Sequence, residues 1–313
     1  MRPKYRYLAA SYLAAALAVA APSPSHALVI NTNFIPIGNP ITPAGSSSPN
    51  ISQPIPTTTS GGGSFQTIFN TAAAYWERVF PNTNDTLNIN VGFANLGAST
   101  LGIASQFPPR VFQDPNVAET QTGSVRFSTG ATWFFDPTPT ESSEYQIDQT
   151  VDADLGGGVI NTSRQFGADF GSEVFTDFDL LTVALHEIGH LLGLAPLTGG
   201  VPFPSVLELD DGSLIPLTLD NGGHIDQFAI DNPNTPGNES TVFDGALMIT
   251  TIANGQRRLA SDADALTIAQ LSGFDTVALD QAGFISNIPL PAPILLLISA
   301  LAGFGCYVRR RQI

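Results

Sequence analysis

Residues His186, Glu187, Ile188, Gly189 and His190 read H-E-x-x-H. Histidines four positions apart share one face of an α-helix, so both imidazoles can reach a single ion. The carboxylate next to the first histidine projects beside that ion, where it can take a proton from a water molecule. Zinc held in this way lowers the pKa of its water and polarises a carbonyl, which is the chemistry of amide hydrolysis. The plainer reading is a helix carrying two solvated histidines. Against it, Leu181, Val183, Ala184, Leu185, Ile188, Leu191 and Leu192 make the segment apolar nearly all round. Two imidazoles and a carboxylate buried in such a helix need a partner.

A catalytic zinc takes three protein ligands and keeps a fourth position open. The chain has 4 histidines, and His26 precedes a cut expected after Ala27, which leaves His224 as the remaining imidazole. It follows a turn-like Asn221-Gly222-Gly223, so a surface loop histidine is the alternative. A rival ligand is Glu208 in LELDDG, at the downstream distance found in thermolysin-like enzymes.

These residues resemble the metzincin clan of zinc peptidases. Its pattern continues H-E-x-x-H-x-x-G-x-x-H, and Gly193 stands where the clan's glycine turns the chain. Pro196 then occupies the position of the third histidine, which departs from the compact site. The chain is similar instead to leishmanolysin-like members, in which an insertion delays the third histidine until shortly before the Met-turn. The resemblance implies His186, His190 and His224 as metal ligands, Glu187 as the general base and Met248, in DGALM, as the Met-turn. It favours His224 over Glu208, because thermolysin-like enzymes lack the Gly193 and Met-turn features. The gap from His224 to Met248 is longer than the resemblance leads one to expect; PNTPGNEST, residues 233–241, could be an insertion.

The elements that must position these groups are partly legible. Leu28 to Ile35 alternates as a strand with β-branched residues. Residues 36–64 are too rich in Pro, Gly, Ser and Thr for core, so a surface loop or flexible linker is expected. Phe65, Ile68, Phe69, Ala72, Trp76 and Phe80 form one helical stripe that Pro81 ends. Strands are expected at Thr86–Leu96, Ser124–Phe127 and Ala131–Phe135, and a long buried helix at Phe178–Leu194. Ser261 and Gly273 bracket a last helix. The expected fold class is α+β: a metzincin-like zinc peptidase domain over residues 65–280, with a twisted mixed sheet, an active-site helix and a Met-turn C-terminal subdomain.

Both ends read as addresses. Residues 1–27 carry Arg2, Lys4 and Arg6, then an apolar run, then small residues Ser25 and Ala27 before the cut, the order of a secretory signal peptide. Residues 281–292 form a linker ending in IPLPA, and residues 293–313 an apolar run closed by Arg309, Arg310 and Arg311. That order of parts resembles the PEP-CTERM class of sorting tails, close to its VPLPA variant. It implies a Gram-negative envelope, final residence at the outer surface or outside, and signal peptidase and an exosortase-type enzyme as processing partners. The apolar run would serve as a transient membrane anchor.

The leader takes three of the 12 basic residues and the tail three more, leaving 6 against 27 acidic residues, a formal −21 for the middle of the chain. Nucleic acid is a poor partner for that surface. The only cysteine, Cys306, lies in the tail, so the domain forms no internal disulfide. Calcium is a second candidate cation: Asp148, Asp152 and Asp154 in DQTVDADLGGG offer oxygen ligands, though without EF-hand spacing. The expected function is a secreted zinc endopeptidase that hydrolyses protein or peptide substrates through a Glu-activated water. The alternatives are a non-catalytic, zinc-stabilised envelope or matrix protein, and a zinc amidase acting on peptidoglycan.

Overall fold

A computed structural model describes residues 27–43, 51–81, 83, 85–97, 99–106, 120–154, 159–194, 206–208, 214–216, 219, 223–225 and 243–274. Residues 1–26 of the expected signal peptide, the expected linker and the expected sorting tail lie outside the described residues, as do Pro196 and residues 233–241. Among the described residues, no helix is long and apolar enough to cross a membrane.

Alternation of apolar and polar residues builds the main sheet. Strands β1 (Val29–Phe34), β3 (Thr86–Ala94), β5 (Thr120–Ser128) and β4 (Gly102–Gln106) lie in that spatial order, with β2 (Thr59–Ser60) in a separate sheet. Strand β3 runs parallel to both β1 and β5, and β4 runs antiparallel to β5 at the edge. One face carries Leu87, Ile89, Val91, Phe93, Val125 and Phe127, all buried in the core. On the other face Asn31 pairs with Asn88 at 3.0 Å and Asn33 with Asn90 at 2.7 Å.

Helix α1 (Phe65–Val79) packs its expected stripe onto the apolar face. The Phe65 ring lies 4.9 Å from Phe93 and 5.7 Å from Phe127, centroid to centroid. Trp76 Nε1 donates to the Leu185 carbonyl at 3.0 Å, which ties α1 to helix α2 (Leu180–Leu191). Short strands β6 (Trp133–Phe134) and β10 (Phe178–Asp179) pair with each other, and β2 pairs with β6. A second sheet joins β7 (Ile147–Asp148), β8 (Val151–Asp154), β9 (Val159–Gly167) and β13 (Gln256–Leu259). Strands β11 (Val206–Glu208) and β12 (Leu214–Pro216) form an antiparallel pair, and α3 (Asp262–Ser272) closes the domain.

The described part of residues 36–64 is largely exposed, as a surface loop should be, but it is docked on the sheet rather than hanging free as a linker. Ile41 is fully buried, Ser52 Oγ donates to the Ile35 carbonyl at 2.9 Å, and Gln53 N donates to Phe93 O at 2.8 Å. The described part of this segment is a strap laid along the sheet. Its Pro and Gly content gives no sign of the docking, because one isoleucine and a few backbone hydrogen bonds suffice for it.

The N-terminus of α2 is anchored by charge. Asp179 caps it, accepting from Thr182 N at 3.2 Å, and receives both Nε and Nη2 of Arg257 at 2.9 Å. Arg257 also meets Asp136 at 2.6 Å, with both side chains fully buried. A buried cation flanked by two carboxylates holds the start of the helix against β13.

Candidate metal centre

Helix α2 is buried over every residue except His190, as its apolar sequence requires. His186 and Glu187 are each only 5% exposed. The helix ends at Gly193, whose φ of +134° carries the chain back on itself. The Leu194 carbonyl thereby accepts from His190 Nδ1. A Cβ at Gly193 would collide with Ser272 Oγ, so glycine is favoured both by conformation and by the approach of α3.

Two further backbone groups complete the histidine arrangement. His186 Nδ1 donates to the Leu247 carbonyl at 2.8 Å. His224 follows Gly223, which has φ +79°, and Ile225 N donates to the Met248 carbonyl at 2.8 Å. The loop that carries the third imidazole is therefore pinned to residue 248. Candidate ligand atoms of His186, His190 and His224 all lie within 4.8 Å of one another. Among the described residues, this is the group of histidines and acids brought together so as to hold an ion.

Chemistry at the nitrogens sharpens the fit. With Nδ1 of His186 and of His190 each donating to a carbonyl, both Nε2 atoms carry lone pairs. Those two Nε2 atoms lie 3.1 Å apart. Lone pairs so close repel unless a cation sits between them. Two Zn–N bonds of about 2.0–2.1 Å at a tetrahedral angle would place the nitrogens about 3.3 Å apart. A proton is a poor substitute, because burial, then the neighbouring His190, drives the His186 pKa well below its ordinary value. The residues fit a zinc ion.

Glu187, next to His186 in the chain, packs against β4. A Cβ at Gly102 would lie 2.5 Å from Glu187 Oε1, so the edge strand passes directly over the carboxylate. Burial pushes the Glu187 pKa up to about 8, opposed by the Ala104 amide and the positive charge of Arg126. In metal-free protein this leaves the group largely protonated at neutral pH, and a nearby cation would favour the carboxylate form that a general base needs. Arg126, fully buried on β5, donates to Ser105 Oγ on β4.

Met248 is fully buried, and a Cβ at Gly189 would lie 2.5 Å from its sulfur. The thioether thus packs directly beneath the helix turn that bears both histidines. Glu208 ends β11, and its side chain lies outside the described residues. Asp148, Asp152 and Asp154 stand on β7 and β8 and form no second ligand group among the described residues. Asp148 Oδ1 instead accepts from Thr150 N at 2.9 Å, and Asp152 Oδ1 from Asn161 Nδ2 at 3.0 Å.

Sequence reasoning missed β4, Arg126, Leu247 and Asp264. The carbonyl of Leu247 carries no side-chain signature, and GIASQ is short with weak alternation. Ser261 and Asp264 do form a capping box, whose S-x-x-D spacing was open to view. No family model matches the chain, and no curated protein or solved structure matches it either.

Proposed function

We propose that the chain is a zinc-dependent endopeptidase, with His186, His190 and His224 holding the metal and Glu187 as general base. The observation that carries this reading is the approach of the His186 and His190 Nε2 atoms to 3.1 Å beside a third imidazole. When bound, zinc supplies a Lewis acid that polarises the scissile carbonyl and acidifies the attacking water. Glu187 takes the proton of that water and passes it to the leaving amine, so the carboxylate ends as it began.

A purely structural metal would have no use for such a carboxylate, since structural sites close their coordination. The position of β4 supports a peptide as substrate. It is the edge strand of the main sheet, and it runs past Glu187. An extended peptide laid along that edge could pair with its backbone and bring a carbonyl to the metal.

Casein zymography of the wild type and Glu187→Ala tests the proposal. The wild type should clear the gel and the variant should not, while both retain zinc. Equal clearing by the two proteins would contradict the assignment of Glu187.

A further inference from the structure

The loop at residues 246–248 is held from outside the site by one buried carboxylate. Asp264 Oδ1 accepts from Met248 N at 2.9 Å, and Oδ2 accepts from Leu247 N at 3.0 Å. The same carboxylate takes the Ser261 amide at 2.8 Å and the Ser261 hydroxyl at 2.7 Å. Asp264 is fully buried, so each of these bonds is made in a low-dielectric interior.

The amide of Met248 and the carbonyl of Leu247 belong to one peptide group. On one side that group donates to Asp264; on the other it accepts from His186 Nδ1 at 2.8 Å. A negative charge at the N–H end of a peptide polarises its carbonyl and makes it a stronger acceptor. The Nδ1–H of His186 is held more firmly, and its Nε2 becomes a better electron donor. The Met248 carbonyl meanwhile accepts from Ile225 N at 2.8 Å, which fixes the residue next to His224.

We infer that Asp264 is a positioning residue of the metal centre, acting on His186 through the 247–248 peptide and on His224 through the Met248 carbonyl. Arg258 supports it from the opposite side. Its Nη1 donates to Ala246 O at 3.3 Å and to Thr251 O at 2.8 Å, so the peptide whose N–H faces Asp264 has its carbonyl facing a guanidinium. This inference rests on the metal reading proposed above.

The test compares zinc affinity, measured by chelator competition, and the visible spectrum of the Co2+-substituted protein. Asp264→Asn keeps one accepting oxygen but turns an NH2 group against at least one N–H donor. Leu271→Ala truncates a buried side chain of the same helix without touching Asp264. Asp264→Asn should bind zinc about tenfold or more weakly and shift the Co2+ bands. Leu271→Ala should lower the melting temperature yet hold zinc within about twofold of the wild type. Equal losses in the two variants, or wild-type affinity in Asp264→Asn, would overturn the positioning role while leaving the metal site standing. Proton NMR of the wild type keeps the inference open to refutation should Asp264→Asn fail to fold. The Met248 amide and the His186 Nδ1–H should exchange slowly in metal-free protein, and rapid exchange of either in a folded chain would overturn it. A wild type that binds neither zinc nor Co2+ counts against the metal reading alone, since the NMR result still decides the relay.

Discussion

In the proposed role Glu187 meets two demands that pull against each other: it would have to be buried beside an ion and still ionise. In metal-free protein its pKa rises from the ordinary 4.5 to about 8 because burial penalises the charge. A raised folded-state pKa contributes stability that is present in full below about pH 4.5 and lost as pH climbs through about 8. Metal-free wild type should therefore lose melting temperature relative to Glu187→Gln across that window. Zinc loading should flatten the difference, since a nearby cation favours the carboxylate. Thermal melts of both proteins at a series of pH values check this, and superimposable profiles without metal would contradict the burial argument. At this scale the sequence was most readable for His186, Glu187 and His190, whose spacing on one helix is itself the signal. His224 carries no such local signal and was reached by elimination and by the resemblance, because its approach depends on the hydrogen bond from Ile225 to Met248, a contact across the chain.

Helices announced themselves by period, and the stripe on α1 and the apolar girth of α2 match their burial. The second sheet did not. Strand β13 reads QRRL, which looks like exposed surface, yet Arg257 is fully buried and Arg258 is 5% exposed. Their burial is made tolerable by partners far along the chain, Asp136 and Asp179 for Arg257 and Gln165 for Arg258, which also reaches the Ala246 and Thr251 carbonyls in the loop just before it. Local pattern carries no trace of such partners. The turn that ends α2 is the element most exposed to a single change. Gly193→Ala combines positive-φ strain with a collision at Ser272, and should destabilise the protein by at least about 1–3 kcal/mol. Because the turn also brings Leu194 O to His190, zinc affinity should fall along with stability. Denaturant melts and metal titration of the variant check both, and an alanine protein unchanged in either would contradict this account of the turn.

For the molecule as a whole, β1 and the strap that follows it are built into the fold. Leu28 is 2% exposed, Ile30 8% and Ile41 0%, and β1 pairs in register with β3 along its whole length. Burying each of these side chains is worth about 1.5–3 kcal/mol, together comparable with the roughly 5–15 kcal/mol that holds a domain folded. A protein beginning at Ser64 should fail to give a cooperative melt or a dispersed NMR spectrum. If it instead folds and takes up metal normally, residues 28–64 are dispensable to the domain and this account of β1 and the strap is wrong. The Pro-rich composition hid this, because docking a strap takes few residues and the composition of the rest is free to be loop-like.

Elemental analysis of the purified protein, beside His186→Ala and His224→Ala, tests the central claim most directly. About one zinc per chain is expected in the wild type, with stoichiometric binding lost in both variants. Full zinc in His224→Ala would remove the third ligand from the account, and a wild type with no stoichiometric transition metal would contradict the account altogether.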